Sequence, residues 1–468
     1  MKISLDRNEL MQLSKEELVD RLIEISVAYL DLLKRVEVLE AKLNIPKKDS
    51  KNSSQPPSKD QKSSVLEVKN KGGAKLGHKP HNRVRTKLPD KQIKIKIDIC
   101  PNCGMRHEYK SHCYLHHQII ELKSLEIELI EILRQKSTCW LGDKSVLAPN
   151  LSGVMDDELF GPRLKSLILI LHFENLMSIN KIKSFINTFS KYKISKGAIS
   201  KVINRCGKVF QSNYEDIINA IKSGQVIGID ETGWRVLGDN QYLWAFQNNE
   251  NVVYKIDKSR GNQVVKDVIG EDYSGIIISD FYSAYGKVLS AGKQKCLAHL
   301  IRAIKYVDEV TGSLSESFSS KLINLFQEAI HLKNAISFEC DDFILKRKAI
   351  EAKLDDIIAQ KLSQKDEIRL CKRLIKFRKE LFVFLYHKDV PPTNNSSEST
   401  LRPKVIHRKI CHGSKSIKGK NTYCVLSSII ETSKRRKENV FDKLVQIFEE
   451  KNVVIPRHKL YFPAFNTS

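Results

Sequence analysis

The sequence predicts a multidomain α/β protein in which a mixed sheet is interrupted by a helical insertion and preceded by smaller modules. Four strand-like segments follow one another closely between residues 225 and 257, and an apolar strand follows a helical stretch at 275–280. Residues 312–388 then form amphipathic patterns, with apolar residues spaced by three and four. Near the start, a heptad repeat gives way to a basic, polar stretch that cannot bury a core.

The composition favours a polyanionic partner. The 468 residues include 79 Lys and Arg against 55 Asp and Glu, a formal charge of +24. Such an excess raises both the encounter rate and the affinity for a polyanion, which favours nucleic acid over an anionic membrane surface. Residues 69–96 hold ten Lys or Arg and one acid, and residues 402–437 hold eleven and one. Either run alone is equally consistent with a solvated face, but together they favour DNA or RNA.

The sequence predicts a cytoplasmic protein without a membrane segment. The opening "MKISLDRNELMQLSKEELVD" lacks the apolar core of a secretory signal. The longest apolar segment, "LILILHF" at 167–173, is far shorter than the roughly eighteen residues that span a bilayer. Ten cysteines with a single CxxC pair do not resemble a secreted disulfide framework.

A coiled coil is predicted over residues 10–44. Two rows of apolar residues, each with a seven-residue repeat, interleave at steps of four and three, which is typical of a dimerising helix. An amphipathic helix packed on its own chain gives the same stripe. The two rows are Leu18, Ile25, Leu32 and Leu39, and Leu22, Tyr29, Val36 and Leu43.

The next two segments are a predicted basic flexible linker, 45–92, and a zinc-knuckle-like module, 93–150. The linker is rich in Pro, Gly, Ser and Lys and poor in apolar residues. In the module, Cys100 and Cys103 in "CPNCG" have the spacing of half a tetrahedral zinc site.

The second half of this zinc site is incomplete in the sequence. After the strand-like "HQIIELKSLEIELIEILRQKSTCWLG" only Cys139 appears, with Gly142 where a second thiol would fall. A structural Zn²⁺ on Cys100, Cys103, Cys139 and Cys113 is one interpretation, and a knuckle held by packing alone is the other. The alternative donors to Cys113 are His107, His112 and His116.

Residues 151–222 are predicted to be a helical region. The stretch "SINKIKSFINTFSKYKISKGAISKVINRC" has the pattern of a helix-turn-helix whose second helix begins near Ser195 or Ser200. An ordinary helical subdomain accounts for the pattern equally well.

The sheet region is predicted in two parts, 223–311 and 391–446, separated by a helical insertion at 312–390 and followed by a tail at 447–468. A hairpin series, then a crossover helix "GNQVVKDVIG" and another strand, indicate a mixed sheet. The predicted strands are 225–230, 233–238, 242–247, 252–257 and 275–280.

Two apolar strands of this region lead into an aspartate, Asp230 after "VIGI" and Asp280 after "GIIIS". A strand end fixes a carboxylate while opening it to substrate, although either aspartate alone is more often a turn cap. Glu398, in "PPTNNSSESTLRPK", has the spacing of a helix capping box with Asn395. As a third carboxylate at the same edge it would complete a site for hard cations such as Mg²⁺.

In this order, the blocks resemble the insertion sequence 66 (IS66) family of bacterial transposases. The resemblance covers residues 15 to 445, and its individual motifs are weak whereas their joint order is specific. The blocks that carry it are "KNSSQPPSKD", "GGAKLGHKPHNR", "CPNCG", "IGIDETGWRV", "SRGNQVVKDVIGEDYSGIIISDFYSAYGK", "CLAHLIR" and "TNNSSESTLRPKVIHRKICHGSKSIKGKNTYCVLSSIIETSKRR".

The resemblance implies a DDE transposase with an RNase H-like catalytic core. Asp230, Asp280 and Glu398 would be the catalytic acids and would hold two Mg²⁺ or Mn²⁺ ions. Cys296 and His299 match a Cys-x-x-His pair that would support the active site, together with Asn395; a helix-start residue satisfied by the fold is the alternative for His299.

The resemblance also implies DNA partners. The protein would bind the terminal inverted repeats of its element and target DNA in a bacterial, nucleoid-associated setting, as a homodimer or larger assembly, with accessory proteins of the same element as further candidates. A decayed relative that only binds DNA is the alternative function, and a metal-dependent nuclease without strand transfer is a third. By charge, the predicted phosphate contacts are Arg402, Lys404, Arg408, Lys409, Lys418 and Lys420.

Two positions depart from the pattern of the family. Ser399 follows Glu398 where the family usually has an arginine, which removes a cation that could contact phosphate. The second CxxC is reduced to Cys139.

Overall fold

The computed structural model describes residues 14–43, 126–138, 145–147, 154, 158–311, 317–335, 338 and 340–451. The predicted linker and the predicted zinc ligands Cys100, Cys103, Cys113 and Cys139 lie outside these residues, so both remain predictions. No helix in the described ranges is long and apolar enough to cross a membrane.

The N-terminal heptads form a single helix, α1, over Lys15–Leu43. Ser14 and Glu17 form a capping box at its start, because the Glu17 carboxylate accepts from Ser14 N–H at 2.8 Å while Ser14 Oγ accepts from Glu17 N–H at 3.4 Å. Its seam residues Leu22, Tyr29 and Leu32 are exposed. Pairing of this helix into a coiled coil stays a prediction. Further along, β1 (Lys136–Thr138) and β2 (Ser145–Leu147) form a small antiparallel pair.

A group of helices precedes the main sheet. Ser178 and Ser195 begin two of them by accepting a hydrogen bond from the backbone N–H three residues on, at 3.4 Å and 3.1 Å. The start predicted near Ser195 is therefore confirmed. The helices are α2 (Pro162–Leu169), which continues as a π-helical turn over Ile170–Glu174, α3 (Ile179–Phe189), α4 (Lys196–Val209) and α5 (Gln211–Lys222).

The main sheet has five strands in the order β5-β4-β3-β6-β7. The pairs β3–β4 and β4–β5 are antiparallel, whereas β6 is parallel to both β3 and β7, so the predicted mixed sheet is present. The strands are β3 (Val226–Val236), β4 (Asp239–Gln247), β5 (Val252–Asp257), β6 (Asp272–Ser279) and β7 (Leu289–Lys295).

Two strand predictions are corrected by the structure. The segments 225–230 and 233–238 form one strand, β3, because β4 pairs with it continuously from Gly228 to Val236. Strand β7 was not predicted, since its sequence "LSAGKQK" has no apolar alternation.

The remaining helices surround the sheet. Helix α6 (Asn262–Ile269) lies between β5 and β6, the short α7 (Ser283–Gly286) lies between β6 and β7, and α8 (Leu297–Thr311) follows β7. The predicted insertion is helical in its described residues, with α9 (Phe318–Ala335), α10 (Asp341–Ile358), α11 (Lys365–Lys376) and two 3₁₀ turns. The chain then forms α12 (Asn395–Cys411), α13 (Ile417–Arg435) and α14 (Val440–Lys451).

The sheet separates two hydrophobic cores. In β6, Ile277 points into the core shared with α2–α6, α13 and α14, whereas Ile276 and Ile278 point into the core formed with α8–α11. The α4 helix packs closely on α13, because a Cβ atom on Gly207 would lie 2.6 Å from Thr422 Oγ1. The helices of residues 158–222 therefore form a layer of the sheet domain, and their role as a helix-turn-helix stays a prediction.

Candidate active site

Asp230 and Asp280 lie at matched positions on neighbouring parallel strands. Gly228 pairs with Ile278, and the same register continued by two residues places Asp230 opposite Asp280. Asp280 directly follows β6, while Asp230 lies inside β3, just past the point where β6 stops pairing with it. Asp230 therefore lies where the parallel pairing of β3 with β6 ends, and not at the end of β3 itself.

Glu398 reaches the same region from the first turn of α12, and Asn394 fixes that turn to the sheet. Asn394 Nδ2 donates to the backbone carbonyl of Ile229 at 2.8 Å, and its backbone N–H donates to Cys296 Sγ at 3.1 Å. Its Oδ1 accepts from Ser397 Oγ at 2.6 Å. The residue before Asp230 is thus bonded to the residue that starts the helix carrying Glu398.

The predicted capping box of Asn395 and Glu398 is wrong. Asn394 is the N-cap, Asn395 is an exposed first residue of the helix, and no side chain caps the turn. The Glu398 backbone N–H instead donates to the Asn394 carbonyl at 3.2 Å. Since the Asn394 amide is bonded to β3, the start of the helix is determined by tertiary contacts and not by a local motif.

The charges of neighbouring acids act on Asp230. Burial, and after it the negative charges of Glu231, Asp280 and Glu398, raise the pKa of Asp230 to about 8. Asp230 Oδ1 accepts from Glu231 N–H, and Asp280 Oδ1 accepts from Tyr282 N–H, each at 2.9 Å. Within the described part of the chain, the second oxygen of each aspartate has no hydrogen bond. A site of this kind favours either a proton or a bound cation.

The residues present fit a hard divalent cation. Asp230 and Asp280 each keep one carboxylate oxygen without a hydrogen bond in the described part of the chain, and oxygen donors are those that Mg²⁺ and Mn²⁺ prefer. Among the described residues, the oxygens of Asp230, Asp280 and Glu398 do not all lie within 4.8 Å of one another. Glu398 is less free, because its Oε1 lies 3.3 Å from Arg302 Nη2 and 3.5 Å from His299 Nε2.

Cys296 and His299 lie beside Glu398, where sequence reasoning placed a supporting element. Their donor atoms and a Glu398 oxygen are all within 4.8 Å of one another. Burial, and then the charge of Arg302, lower the pKa of His299, and burial raises the pKa of the Cys296 thiol. Cys296 is fully buried and accepts the Asn394 N–H, so it holds the start of α12.

Sequence reasoning missed Glu231 and the two side chains that donate hydrogen bonds to it. The Glu231 carboxylate accepts from Arg260 Nη2 at 2.6 Å and from the hydroxyl of Tyr285. Arg260 in turn lies 4.1 Å above the ring of Tyr282. Glu231 adjoins Asp230 in "GIDETGW", and that adjacency was the available signal.

Lys295 is a second missed residue. It is fully buried at the end of β7, where its Nζ donates to the Asp280 carbonyl at 3.0 Å and to Ser279 Oγ at 3.2 Å. Burial lowers the pKa of this ammonium. Lys295 therefore fixes the backbone that carries Asp280. A lysine in a polar segment gives no sequence signal for such a position.

The predicted phosphate contacts differ in their accessibility. Lys404 is 1% exposed and its Nζ lies 5.0 Å from the centre of the Tyr254 ring, so its prediction as a DNA contact is wrong. Half-buried Arg408 donates to the Gly233 carbonyl and so binds α12 to β3. Arg402, Lys409 and Lys418 are exposed and Lys420 is half-buried.

Comparison with known proteins gives the family. The model of the IS66 transposase family matches residues 157–422, which include the sheet, the insertion and all three acids. The uncharacterized protein y4qI of Sinorhizobium fredii (strain NBRC 101917 / NGR234) is 23% identical over 289 residues, 54% of this chain and 53% of that protein. The match thus spans about half the length of that relative. Because the family model covers more than half of the chain, the protein belongs to the IS66 family of transposases.

Proposed function

We propose that the protein is a metal-dependent DDE transposase that cleaves the ends of its element and joins them to target DNA. The observation that supports the proposal is the matched register of Asp230 and Asp280 on β3 and β6, with Asp230 within electrostatic reach of Asp280 and of Glu398 on α12. The strand order, three antiparallel strands followed by two parallel ones, supports an RNase H-like core.

In this proposal the carboxylates of Asp230 and Asp280 hold the cations, and Glu398 completes the site. Two bound Mg²⁺ or Mn²⁺ ions would activate the attacking oxygen and stabilise the leaving oxygen of the phosphodiester. Asn394 and Cys296 hold the first turn of α12, and Lys295 holds the Asp280 backbone. These contacts keep the acids in place before substrate arrives, which lowers the reorganisation cost of the reaction.

The partners in this proposal are double-stranded element ends and target DNA, bound by a homodimer. The exposed side chains of Arg402 and Lys409 lie beyond Glu398 on α12, and that of Lys418 lies on α13; all three would contact the phosphate backbone. The exposed seam of α1 would pair two copies and so bring two ends together. Structural Zn²⁺ on the cysteines of residues 93–150 and accessory proteins of the element belong to the same proposal.

An assay of strand cleavage and joining tests this function. Purified protein is incubated with Mg²⁺ or Mn²⁺ and labelled DNA carrying the terminal repeats, beside Glu398→Gln and a control, Glu250→Gln, at an exposed turn. We expect nicking and joining by wild type and by the control, and a loss of about a hundredfold or more in Glu398→Gln. Binding without nicking by wild type would favour a DNA-binding protein instead, and equal activity of Glu398→Gln would refute the role of Glu398.

A further inference from the structure

A cleft of about 390 Å³ opens beside Asp280, between α8, α11 and the residues that follow β6. It begins at Asp280 and His299 in the candidate active site and ends at α11 in the helical insertion. The insertion therefore contributes one wall of a space that is continuous with the acids. The cleft residues used below are Arg260, Tyr282, Arg302, Tyr306, Arg369 and Arg373.

Of the four arginines that line this cleft, three have a carboxylate partner among the described residues. Arg260 is paired with Glu231, Arg302 with Glu398, and Arg369 with Asp366 at 3.3 Å. Arg373, four residues after Arg369 on the same face of α11, has no carboxylate within ion-pair distance among the described residues. Burial and the charge of Arg369 lower the pKa of Arg373. Two neighbouring guanidinium groups, of which only Arg369 has a carboxylate partner, form a site for an anionic oxygen.

Aromatic rings line the same cleft. Arg373 lies 5.7 Å from the centre of the Phe281 ring, which packs edge-on against Phe377 at 5.3 Å. Arg260 lies over the ring of Tyr282, and half-buried Tyr306 lines the same cleft from α8. Planar side chains interleaved with guanidinium groups are the surfaces on which unstacked bases of single strands rest.

The volume of the cleft suits a small group. About 390 Å³ is at the low end of pockets that enclose small ligands. One nucleotide taken out of its stack matches both the size and the chemistry, at a modest unpairing cost that is least at a strand end.

Resting on the proposed function, we infer that this cleft receives an unpaired nucleotide of the DNA strand being processed. Its base would stack between the rings of Tyr282 and Tyr306, and its phosphate would be bound by Arg373. The helical insertion would then act in substrate binding, by holding the strand end in line with the acids. The cleft would therefore bind a DNA end that carries an unpaired nucleotide in preference to a fully paired end.

The test uses photocrosslinking with the full-length protein. One probe is a short duplex with a 3′ thymidine tail carrying 5-iodouracil, and the second is a blunt duplex with 5-iodouracil in a base pair. Crosslinked peptides are identified by mass spectrometry, and binding of both probes is measured at one salt concentration. Variants Arg373→Gln and Tyr306→Leu are compared with Lys372→Gln, which removes an exposed charge from another face of α11, and Tyr192→Leu, at an exposed tyrosine outside the cleft.

We expect the tailed probe to crosslink to the peptides containing Tyr282 or Tyr306, and Arg373→Gln and Tyr306→Leu each to weaken its binding about fivefold or more. The two control variants and the blunt probe should show no such change. Crosslinks only in other peptides, or equal losses in Arg373→Gln and Lys372→Gln, would overturn the inference. Crosslinking needs no cleavage, so the two proposals can fail separately. Wild-type protein that cuts element ends but does not crosslink at Tyr282 or Tyr306 refutes nucleotide binding in the cleft alone. Crosslinking there without cutting refutes the proposed reaction.

Discussion

Burial decides what the charged residues of this protein can do. Asp230 is buried among other acids, which raises its pKa to about 8. Lys295 is buried where its ammonium bonds to oxygens around Asp280 and lies 3.6 Å from the Glu380 carboxylate. Lys404 is buried with its ammonium over the ring of Tyr254, and this burial lowers its pKa to about 8. Each of these residues acts on the local structure through a charge that is costly to desolvate.

Replacement of Lys404 by Met should stabilise the protein near neutral pH. At pH 7 the folded chain keeps a buried ammonium that an apolar side chain of similar volume would not need to desolvate, so Lys404→Met should raise the free energy of unfolding by about 1–3 kcal/mol. DNA affinity should stay unchanged, because this ammonium is inaccessible. Denaturant unfolding and DNA binding measure the two effects.

The advantage of Lys404→Met should disappear at high pH. Between the pKa of about 8 in the folded chain and the ordinary 10.5, the unfolded chain binds more protons at this lysine. The stability contribution of Lys404 therefore rises with pH over that interval, and the difference between variant and wild type shrinks. A variant that is destabilised at pH 7, or whose advantage is independent of pH up to 10, would contradict this account of Lys404.

Single residues could be predicted from the sequence where the chemistry was local. Asp230, Asp280 and Glu398 were recognisable because each stands in an apolar or family-like context, whereas Arg260 and Tyr285 reach Glu231 from 29 and 54 residues away. The cation beside Glu398 also comes from a distant part of the chain and could not be predicted. Ser399 lacks the charge expected there, and Arg302 on α8 lies 3.3 Å from Glu398 instead.

At the scale of elements, the contact between β3 and the start of α12 determines where Glu398 lies. The contact is close because Gly228 has no side chain. A Cβ atom there would lie 2.6 Å from Ser397 Oγ, 2.8 Å from Asn394 Oδ1 and 2.9 Å from Gln247 Nε2. The glycine of "VIGID" thus permits the helix to approach the strand that carries Asp230.

Substitution of Gly228 by Ala should separate these elements. We expect Gly228→Ala to lower the free energy of unfolding by about 1–3 kcal/mol through overpacking, and to reduce cleavage further than this loss explains, because Glu398 is displaced. Gly286→Ala is the matched control, since a Cβ at Gly286 meets nothing within 4 Å. Thermal unfolding and cleavage rates measure both variants, and wild-type values for Gly228→Ala would refute the proposed close contact.

Elements with strong local patterns were the predictable ones. Strand β5 lies where its apolar periodicity predicts it, and the insertion is helical in its described residues, as its apolar spacing predicts. The continuity of β3 depends on pairing with β4, and β7 depends on pairing with β6, so tertiary contacts override the local pattern in both. Helix α12 has Asn394 as its N-cap, one residue before the predicted Asn395, because tertiary contacts also determine this start.

At the scale of the whole molecule, α1 presents an apolar seam that nothing described covers. Leu22, Tyr29 and Leu32 are 70%, 59% and 57% exposed. A second copy would bury this seam, whereas the cleft and the acids are complete within one chain. Assembly and the chemical site are therefore separable in the proposed transposase.

A charge in the seam should prevent this assembly. We expect Leu22→Glu to convert a dimer into a monomer in sedimentation experiments, while Val27→Glu, an equally charged change at an exposed position off the seam, leaves the dimer intact. Single-end binding should persist in both variants. A wild-type monomer, or a Leu22→Glu dimer, would contradict pairing through α1.

The N-terminal helix and the strand cluster could be predicted from the sequence, since heptads and apolar strands have distinct residue patterns, whereas the basic linker stays a prediction. How the helices of residues 158–222 pack on α13 could not, because residues such as Gly207 and Thr422 meet from opposite ends of the sheet domain. The acids were predicted as a set only because the resemblance supplied their joint order.

The central claim is that Asp230, Asp280 and Glu398 bind the cations that cleave DNA. It is tested most directly by the metal preference of Asp280→Cys, because a thiolate binds Mn²⁺ but is a poor ligand for Mg²⁺. Cleavage of an element end is measured for wild type, Asp280→Cys and Asp280→Asn with each metal. We predict that wild type cleaves with both metals, Asp280→Cys cleaves with Mn²⁺ alone, and Asp280→Asn with neither. Cleavage by Asp280→Asn at the wild-type rate would contradict the claim.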